Sequence, residues 1–486
     1  MNAPAPGRAG PALDSLPYAW ARAHRACVAR DEGGALVHVC PQTPGWAVVE
    51  LRRRYPAAAF RRVGAAAMDD LIASAYAHAG DAASVMGAAE NNIDLDRLMQ
   101  DMPELTDLLD ATDDAPVIRM INALLSQAAG DGASDIHFDV FETRASVRYR
   151  VDGQFRDVVA PRKALHAALI SRIKIMAQMD IAEKRLPQDG RIGLRVGGKA
   201  IDVRVSTVPT AHGERAVLRL LLKDAGRLQL ASLGMAPELR DGLTRLIRQP
   251  HGIVLVTGPT GSGKTTTMYS ALGQLDPGTN NIMTVEDPIE YDLPGIAQIP
   301  VNARIGMTFA VALRAVLRQD PDNILIGETR DLETAQIAIQ SSLTGHGVLT
   351  SVHTNNAVSA VTRVVDMGVE PFLLASTLLG VLAQRLVRCL CPDCKQADEM
   401  PDGRLAYRAV GCAACAHSGY RGRTGVHELL VVDNGLRRLI HQRADEQALL
   451  AAAIEGGMRT MRDDGQRWVD AGITTQEEIL RVTRDA

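Results

Sequence analysis

Aromatic side chains make up only 3% of this 486-residue chain, so its cores have to be built from Leu, Val, Ile and Ala rather than around rings. Long apolar runs are missing too. The longest candidate, residues 372–383, is too short for a membrane span and is interrupted by Ser376, Thr377 and Gly380, so membrane association is expected only through another protein or an amphipathic surface. There is no basic excess: 53 Lys and Arg stand against 57 Asp and Glu, a formal net charge of −4. Nucleic acid is therefore not an expected partner. Residues 1–16 are Ala/Pro/Gly-rich without an apolar centre, so no secretory signal is expected there.

What is present is ordinary globular composition, 46% hydrophobic and 23% charged, in a length that suits about three domains. Residues 1–16 read as a disordered lead. From there to about residue 90, short apolar segments such as Ala35-Leu36-Val37-His38-Val39 and Trp46-Ala47-Val48-Val49 alternate with helical ones. Residues 91–114 are acidic and read as a solvated linker. A second, mixed α/β domain opens near Ala115, with helical periodicity over 117–125. Strand-like alternation follows at 145–151, 191–195 and 201–205, punctuated by Asp-Gly and Gly-Gly turns. Asp224-Ala225-Gly226 begins a further linker. Beyond it, strands and helices alternate as in a parallel sheet with crossover helices.

The sharpest local signal is Gly258-Pro259-Thr260-Gly261-Ser262-Gly263-Lys264-Thr265, between the strand-like Ile253-Val254-Leu255-Val256 and a helical stretch opening at Thr266. Glycines let backbone N–H groups curl around phosphate, and the helix N-terminus favours the same anion. Lys264 is placed to reach the β- and γ-phosphates and Thr265 to ligand Mg²⁺. The chain is therefore expected to bind a nucleoside triphosphate, with Thr266 completing the nucleotide set. Turnover also needs carboxylates. Residues 282–290 offer Glu286, Asp287 and Glu290 as candidate general bases. The apolar run Ile324-Leu325-Ile326 leads into Glu328, suited to the metal side, and residues 345–355 bring a polar cluster with His353.

Seven cysteines are present, four of them in two Cys-x-x-Cys knuckles, Cys391/Cys394 and Cys412/Cys415. In a chain expected to be cytoplasmic this favours metal over disulfides. The spacing suits a closed, structural Zn²⁺ site.

In their order along the chain, residues 258–265, 285–290, 324–328 and 345–355 resemble the Walker A, aspartate, atypical Walker B and histidine boxes of the secretion and pilus ATPases. Residues 133–137, 185–191, 202–206 and 212–215 are similar to that family's second N-terminal domain. The resemblance covers about 115–486. It implies a multidomain α/β architecture: a small N-terminal domain with its acidic linker (1–112), a PAS-like mixed α/β domain (113–225), and a RecA-like ATPase domain (226–486) with a zinc subdomain at about 389–425. It also implies ATP, Mg²⁺ and Zn²⁺ as cofactors and a homo-hexamer as the working form. By the same resemblance Glu328 acts on Mg²⁺ through water, Glu290 activates the attacking water, and His353 senses the γ-phosphate. Arg191 and Arg204 approach the nucleotide from the second domain. Thr329 stands where the family usually has an apolar residue, and Asn356 where Asp is common.

Residues 16–22, 105–110 and 114–118 are similar to the type II secretion branch. That branch implies docking of 1–112 on the cytoplasmic domain of an inner-membrane protein, work on an inner-membrane platform protein, and a peripheral place at the bacterial inner membrane. The expected activity is ATP hydrolysis that powers pseudopilus assembly and export. The pilus-assembly branch shares every box and stays open as the alternative. A DNA-transport motor would call for a basic lumen, which the net acidity does not favour.

Overall fold

The structure is a computed structural model that describes residues 16, 20–21, 24–31, 34–56, 58–64, 67–68, 71–72, 116–196, 199–222, 229–399 and 405–484. The lead 1–15, the acidic stretch 91–114 and the linker at 224–226 lie outside them, as does most of 16–22. Two compact units are present, Met1–Lys223 and Asp224–Ala486.

The first unit opens with β1 (Ala26–Asp31), β2 (Gly34–Val39), α1 (Gly45–Arg54) and β3 (Ala59–Arg62). β1 and β2 form an antiparallel hairpin and β3 runs parallel to β2, over a small core of Leu16, Val28, Val37, Val39 and Leu51. Of the two short apolar segments in this region, 35–39 is part of β2, whereas 46–49 lies in α1. Its inward residues Ala47 and Leu51 are four apart, and Trp46 and Val49 face outward, a helical spacing and not an alternating one.

The unit continues with α2 (Pro116–Gly130), β4 (Ala133–Val140), β5 (Ala145–Val151), β6 (Gln154–Val159), α3 (Lys163–Met176), β7 (Gln188–Val196), β8 (Lys199–Thr210) and β9 (Gly213–Leu222). These strands make a six-stranded antiparallel sheet in the order β6-β5-β4-β9-β8-β7. Alternation assigns Ile136, Phe138, Tyr149, Val203, Val205 and Leu218 to a core shared with Leu124 of α2 and Leu169 of α3. The opposite face is charged.

The second unit runs α4 (Pro237–Ile247), β10 (Gly252–Thr257), α5 (Lys264–Leu272), β11 (Ile282–Glu286), β12 (Ala297–Pro300), α6 (Phe309–Val316), β13 (Asn323–Ile326), α7 (Leu332–Leu343) and β14 (Gly347–Val352). It continues through α8 (Ala357–Asp366), α9 (Pro371–Thr377), β15 (Leu378–Leu390), β16 (Gln396–Glu399), β17 (Leu405–Arg408) and β18 (Tyr420–Val431). It ends with α10 (Asn434–His441), α11 (Glu446–Glu455), α12 (Met461–Asp470) and α13 (Gln476–Val482). Seven strands pair in the order β12-β11-β13-β14-β10-β15-β18. All pairs are parallel except β15–β18.

Both faces of this sheet are covered. Ile253 and Leu255 of β10 point into one core with Leu313, Ile339 and Val361, while Val254 and Val256 point into another with Met268, Tyr269 and Leu243. A strand buried on both faces reads as a continuous apolar run, and β10 is buried at every position. This is the RecA-like P-loop arrangement the sequence led us to expect, with the phosphate loop leaving the C-terminal end of β10. Among the described residues, no helix is long and apolar enough to cross a membrane.

Candidate functional site

The loop between β10 and α5 can be built only with glycine at its tight points. Gly258, Gly261 and Gly263 have φ of 150°, 82° and 88°, a region L side chains avoid. A Cβ at Gly258 would also lie 2.5 Å from Ser262 Oγ and 2.6 Å from the Gln384 carbonyl oxygen. The Ser262 hydroxyl is buried with no hydrogen-bond partner among the described residues, and Gln384 Nε2 donates to the Ser262 carbonyl (2.7 Å). An unspent donor in a glycine cradle ahead of a helix N-terminus is chemistry that fits a phosphate. Thr265 and Thr266 follow Lys264 in the first turn of that helix, both half-buried.

Lys264 Nζ donates to the Gly258 carbonyl (2.7 Å) and the Pro259 carbonyl (3.2 Å), and lies 3.4 Å from His353 Nδ1. Burial pushes its ammonium down to about 8, with Arg385 acting in the same direction and Glu328 opposing. On the far side of the ring, His353 Nε2 stands 3.6 Å from Glu328 Oε2, and Arg330 Nε pairs with that same oxygen at 2.6 Å. The structure thus joins Lys264, His353 and Glu328, residues from three separate sequence segments, in one line of contacts. Burial, then Lys264, lowers the His353 pKa below its ordinary value.

Several hydrogen bonds hold this line. The hydroxyls of Thr257 and Thr354 meet at 2.8 Å, and the Thr354 N–H donates to Thr257 Oγ1 (2.9 Å). Arg385 Nη2 donates to the backbone carbonyl and side-chain oxygen of Asn355 (3.0 and 3.1 Å). Both departures from the family pattern are accommodated. The buried Thr329 hydroxyl pairs with that of Thr350 at 2.9 Å, and Asn356 caps α8 by accepting from the Ser359 N–H at 2.7 Å.

The three carboxylates of 286–290 separate by environment. Glu286 is buried, accepting from the Tyr269 hydroxyl, from Thr284 Oγ1 (2.5 Å) and from Gln298 Nε2 (3.0 Å). A carboxylate so enclosed is not available to a water molecule. Asp287 is exposed and Glu290 half-buried. Arg191 and Arg204 belong to the first unit. There they face each other across β7 and β8, and Arg204 in turn faces Arg219 across β8 and β9.

The four knuckle cysteines converge. All four Sγ atoms lie within 4.8 Å of one another, with Cys391–Cys412, Cys394–Cys415 and Cys412–Cys415 at 3.9, 3.8 and 3.8 Å. A tetrahedron with Zn–S bonds of about 2.3 Å has edges of about 3.8 Å. Backbone N–H groups of Cys412 and Gly419 point at Cys415 Sγ, both at 3.2 Å, and that of Gly411 at Cys394 Sγ at 3.3 Å. The donor set fits one Zn²⁺ ion and leaves no open position.

Sequence reasoning passed over Gln384 and Arg385. Their signal was available: two adjacent polar residues inside the otherwise apolar stretch 378–387 of β15, where burial demands partners. It also passed over Glu428 on β18, whose two oxygens accept from the N–H groups of Ala357 (2.8 Å) and Met461 (3.2 Å), the first residues of α8 and α12.

Residues 110–481 match the family model described as type II/IV secretion system protein. A type II secretion system protein HxcR of Pseudomonas aeruginosa is 69% identical over 474 residues, 98% of this chain and 100% of that one. The type II secretion system ATPase E of Vibrio cholerae is 57% identical over 401 residues, 80% of each chain. Among solved structures, the pilus retraction motor PilT with bound ADP matches with a TM-score of 0.51 at 26% identity, covering 74% of this chain and 96% of its own. With a family match over most of its length and relatives this similar from end to end, the chain belongs to the type II/IV secretion system protein family.

Proposed function

We propose that this chain is a hexameric ATPase that powers pseudopilus assembly and protein export by type II secretion. The observation that carries the reading is the line Lys264–His353–Glu328 beside the glycine cradle, in a chain whose relatives at 69% and 57% identity carry type II secretion names.

Residues 258–266 hold the triphosphate of ATP, with Lys264 on the β- and γ-phosphates. The Thr265 hydroxyl and, through water, Glu328 hold Mg²⁺, which when bound neutralises charge on the phosphate oxygens. Glu290 orients and deprotonates the attacking water. Neutral His353, placed between Lys264 and Glu328, reports whether a γ-phosphate is present. Arg191 and Arg204 reach the nucleotide from the 113–225 domain, where a guanidinium stabilises charge on the transferring oxygens. The four cysteines hold a structural Zn²⁺. Residues 1–112 dock on the cytoplasmic domain of an inner-membrane secretion protein, so the motor works at the inner membrane, against a platform protein.

The test uses the full chain in three assays. Phosphate release should be readily measured for the wild type and fall at least about 100-fold in Glu328→Gln and Lys264→Ala. Light scattering with a non-hydrolysable ATP analogue should report a hexamer. Saturable binding to the cytoplasmic domain of the type II partner, and not to its pilus-assembly counterpart, should follow. Absence of turnover would overturn the enzyme reading, and selective binding to the pilus component would move the chain to pilus assembly.

A further inference from the structure

We propose that Tyr269 is a positioning residue for ATP turnover, because its one hydroxyl holds both ends of the turn that carries Glu290 against the phosphate-binding helix. The inference rests on the reading of Glu290 as the group that orients the attacking water.

α5 carries Lys264 and Thr265 in its first turn and Tyr269 in its second, and Tyr269 is buried. Its hydroxyl donates to Glu286 Oε2, at the end of β11. The Tyr269 hydroxyl oxygen in turn accepts the backbone N–H of Glu290 at 3.3 Å. With its single proton spent on the carboxylate, the hydroxyl can meet the N–H only as an acceptor, so the direction of both bonds is set. Burial, then the Glu286 carboxylate, raises the pKa of the Tyr269 hydroxyl and keeps that proton in place. Residues 287–289 therefore span between two points tied to one atom of the phosphate helix.

The rest of the network closes the turn from its other side. Thr284 and Gln298 occupy the remaining Glu286 oxygen. Gln298 also donates to the Tyr291 carbonyl (3.0 Å) and accepts from the Leu293 N–H (2.7 Å). The Tyr291 ring meets that of Tyr269 edge-on, with centroids 5.9 Å apart. A leucine at 269 and an apolar residue at 286 would fill this space without burying a charge, which is costly unless every lone pair is satisfied. What the polar pair adds is a fixed direction for the chain at Glu290, and misplacement of a catalytic group by about 1 Å costs about 100-fold in rate.

The experiment is steady-state phosphate release by the full chain carrying Tyr269→Phe, Glu286→Gln, Glu290→Gln and the Tyr269→Phe/Glu290→Gln pair, with affinity followed by a fluorescent ATP analogue. Tyr269→Phe keeps the ring and removes the hydroxyl. It should lower kcat about 10- to 100-fold while KM and analogue affinity stay within about threefold. Glu286→Gln keeps an acceptor for the tyrosine and should retain more kcat than Tyr269→Phe. The pair should be no slower than Glu290→Gln alone, because Tyr269 acts through Glu290. Wild-type turnover in Glu290→Gln would sink the general-base reading. A slow Glu290→Gln beside a Tyr269→Phe within threefold of wild type would overturn the positioning role alone. Loss of affinity along with kcat in both Tyr269→Phe and Glu286→Gln, or additive losses in the pair, would do the same, since those are the marks of a merely structural contact.

Discussion

His353 stands between a cation and an anion, with Nδ1 3.4 Å from the Lys264 ammonium and Nε2 3.6 Å from Glu328 Oε2. Because the ammonium can only donate, Nδ1 is the unprotonated nitrogen, and the ring proton sits on Nε2, towards the carboxylate. A neutral ring that accepts from Lys264 competes for the same donor as a phosphate oxygen would, which couples the ring to the nucleotide.

Nucleotide affinity should weaken as pH rises through about 8. The cause is Lys264, whose ammonium burial holds at about 8 instead of 10.5. Only the charged form attracts phosphate, so above that value binding must also take up a proton. For the free protein the sign is opposite: between about 8 and 10.5 the unfolded chain holds a proton the native chain has released, so stability rises with pH in that window. Titration of a fluorescent ATP analogue from pH 6.5 to 9.5 checks this. An affinity flat to pH 9.5 would contradict it.

Replacing exposed Arg191, which stands opposite Arg204, with Ala should slow turnover without destabilising the fold. The two lie directly opposite across β7 and β8, and like charges in that relation repel by roughly 0.2–1 kcal/mol. Removal of Arg191 relieves the repulsion, so the midpoint of thermal unfolding should hold or rise slightly while kcat drops. A lower midpoint with unchanged kcat would mark Arg191 as an ordinary structural residue of the strand.

The glycine loop was legible because its chemistry is local: turn, cradle and helix start lie within ten residues of sequence. The meeting of Lys264 with His353 was not, since it depends on the register that sets Thr257 beside Val352 in β10 and β14. Apart from the resemblance, which singled out Glu290, residues 282–290 left Glu286, Asp287 and Glu290 open as candidates, because which of them is enclosed depends on Tyr269 and Gln298 arriving from other elements. The alternation of strands and helices implied a parallel sheet, yet nothing local marked β18 as antiparallel to β15. The strand 378–390 begins inside an apolar run whose first residues form α9, and helix and strand are indistinguishable by hydropathy alone over so short a stretch.

Metal analysis of the purified chain should find one zinc per molecule, and Cys391→Ser or Cys415→Ser should abolish it. The knuckle region is stitched to the C-terminal helices by Lys395 Nζ, which donates to the Gly472 carbonyl at 2.7 Å. Arg388 just before the knuckles pairs with buried Glu478 at 2.8 Å. Loss of the metal should therefore lower the unfolding midpoint of the unit Asp224–Ala486 by about 5 °C, a cost of about 3 kcal/mol at this size. Analogue affinity at the glycine loop should survive. A zinc-free wild type with the same midpoint as Cys391→Ser would rule out the four-thiolate site.

Glu428 ties the helix after the histidine segment to the C-terminal helices, and its replacement should show in both stability and rate. Its two oxygens cap α8 and α12 at once, through the N–H groups of Ala357 and Met461. Glu428→Leu leaves two buried donors without partners and should cost about 2–6 kcal/mol. Glu428→Gln keeps one acceptor and should cost less. Burial raises the Glu428 pKa above 4.5, against the pull of those two N–H groups. The native state therefore holds its proton more tightly than the unfolded chain, and the group's contribution falls as pH rises from about 4.5 through the raised value. The gap between wild type and Glu428→Gln, measured by urea unfolding, should narrow over that range. Because α8 begins just beyond His353, kcat should fall in Glu428→Leu even where the chain remains folded. Full activity in a folded Glu428→Leu would show that the histidine segment is held in place without the C-terminal helices.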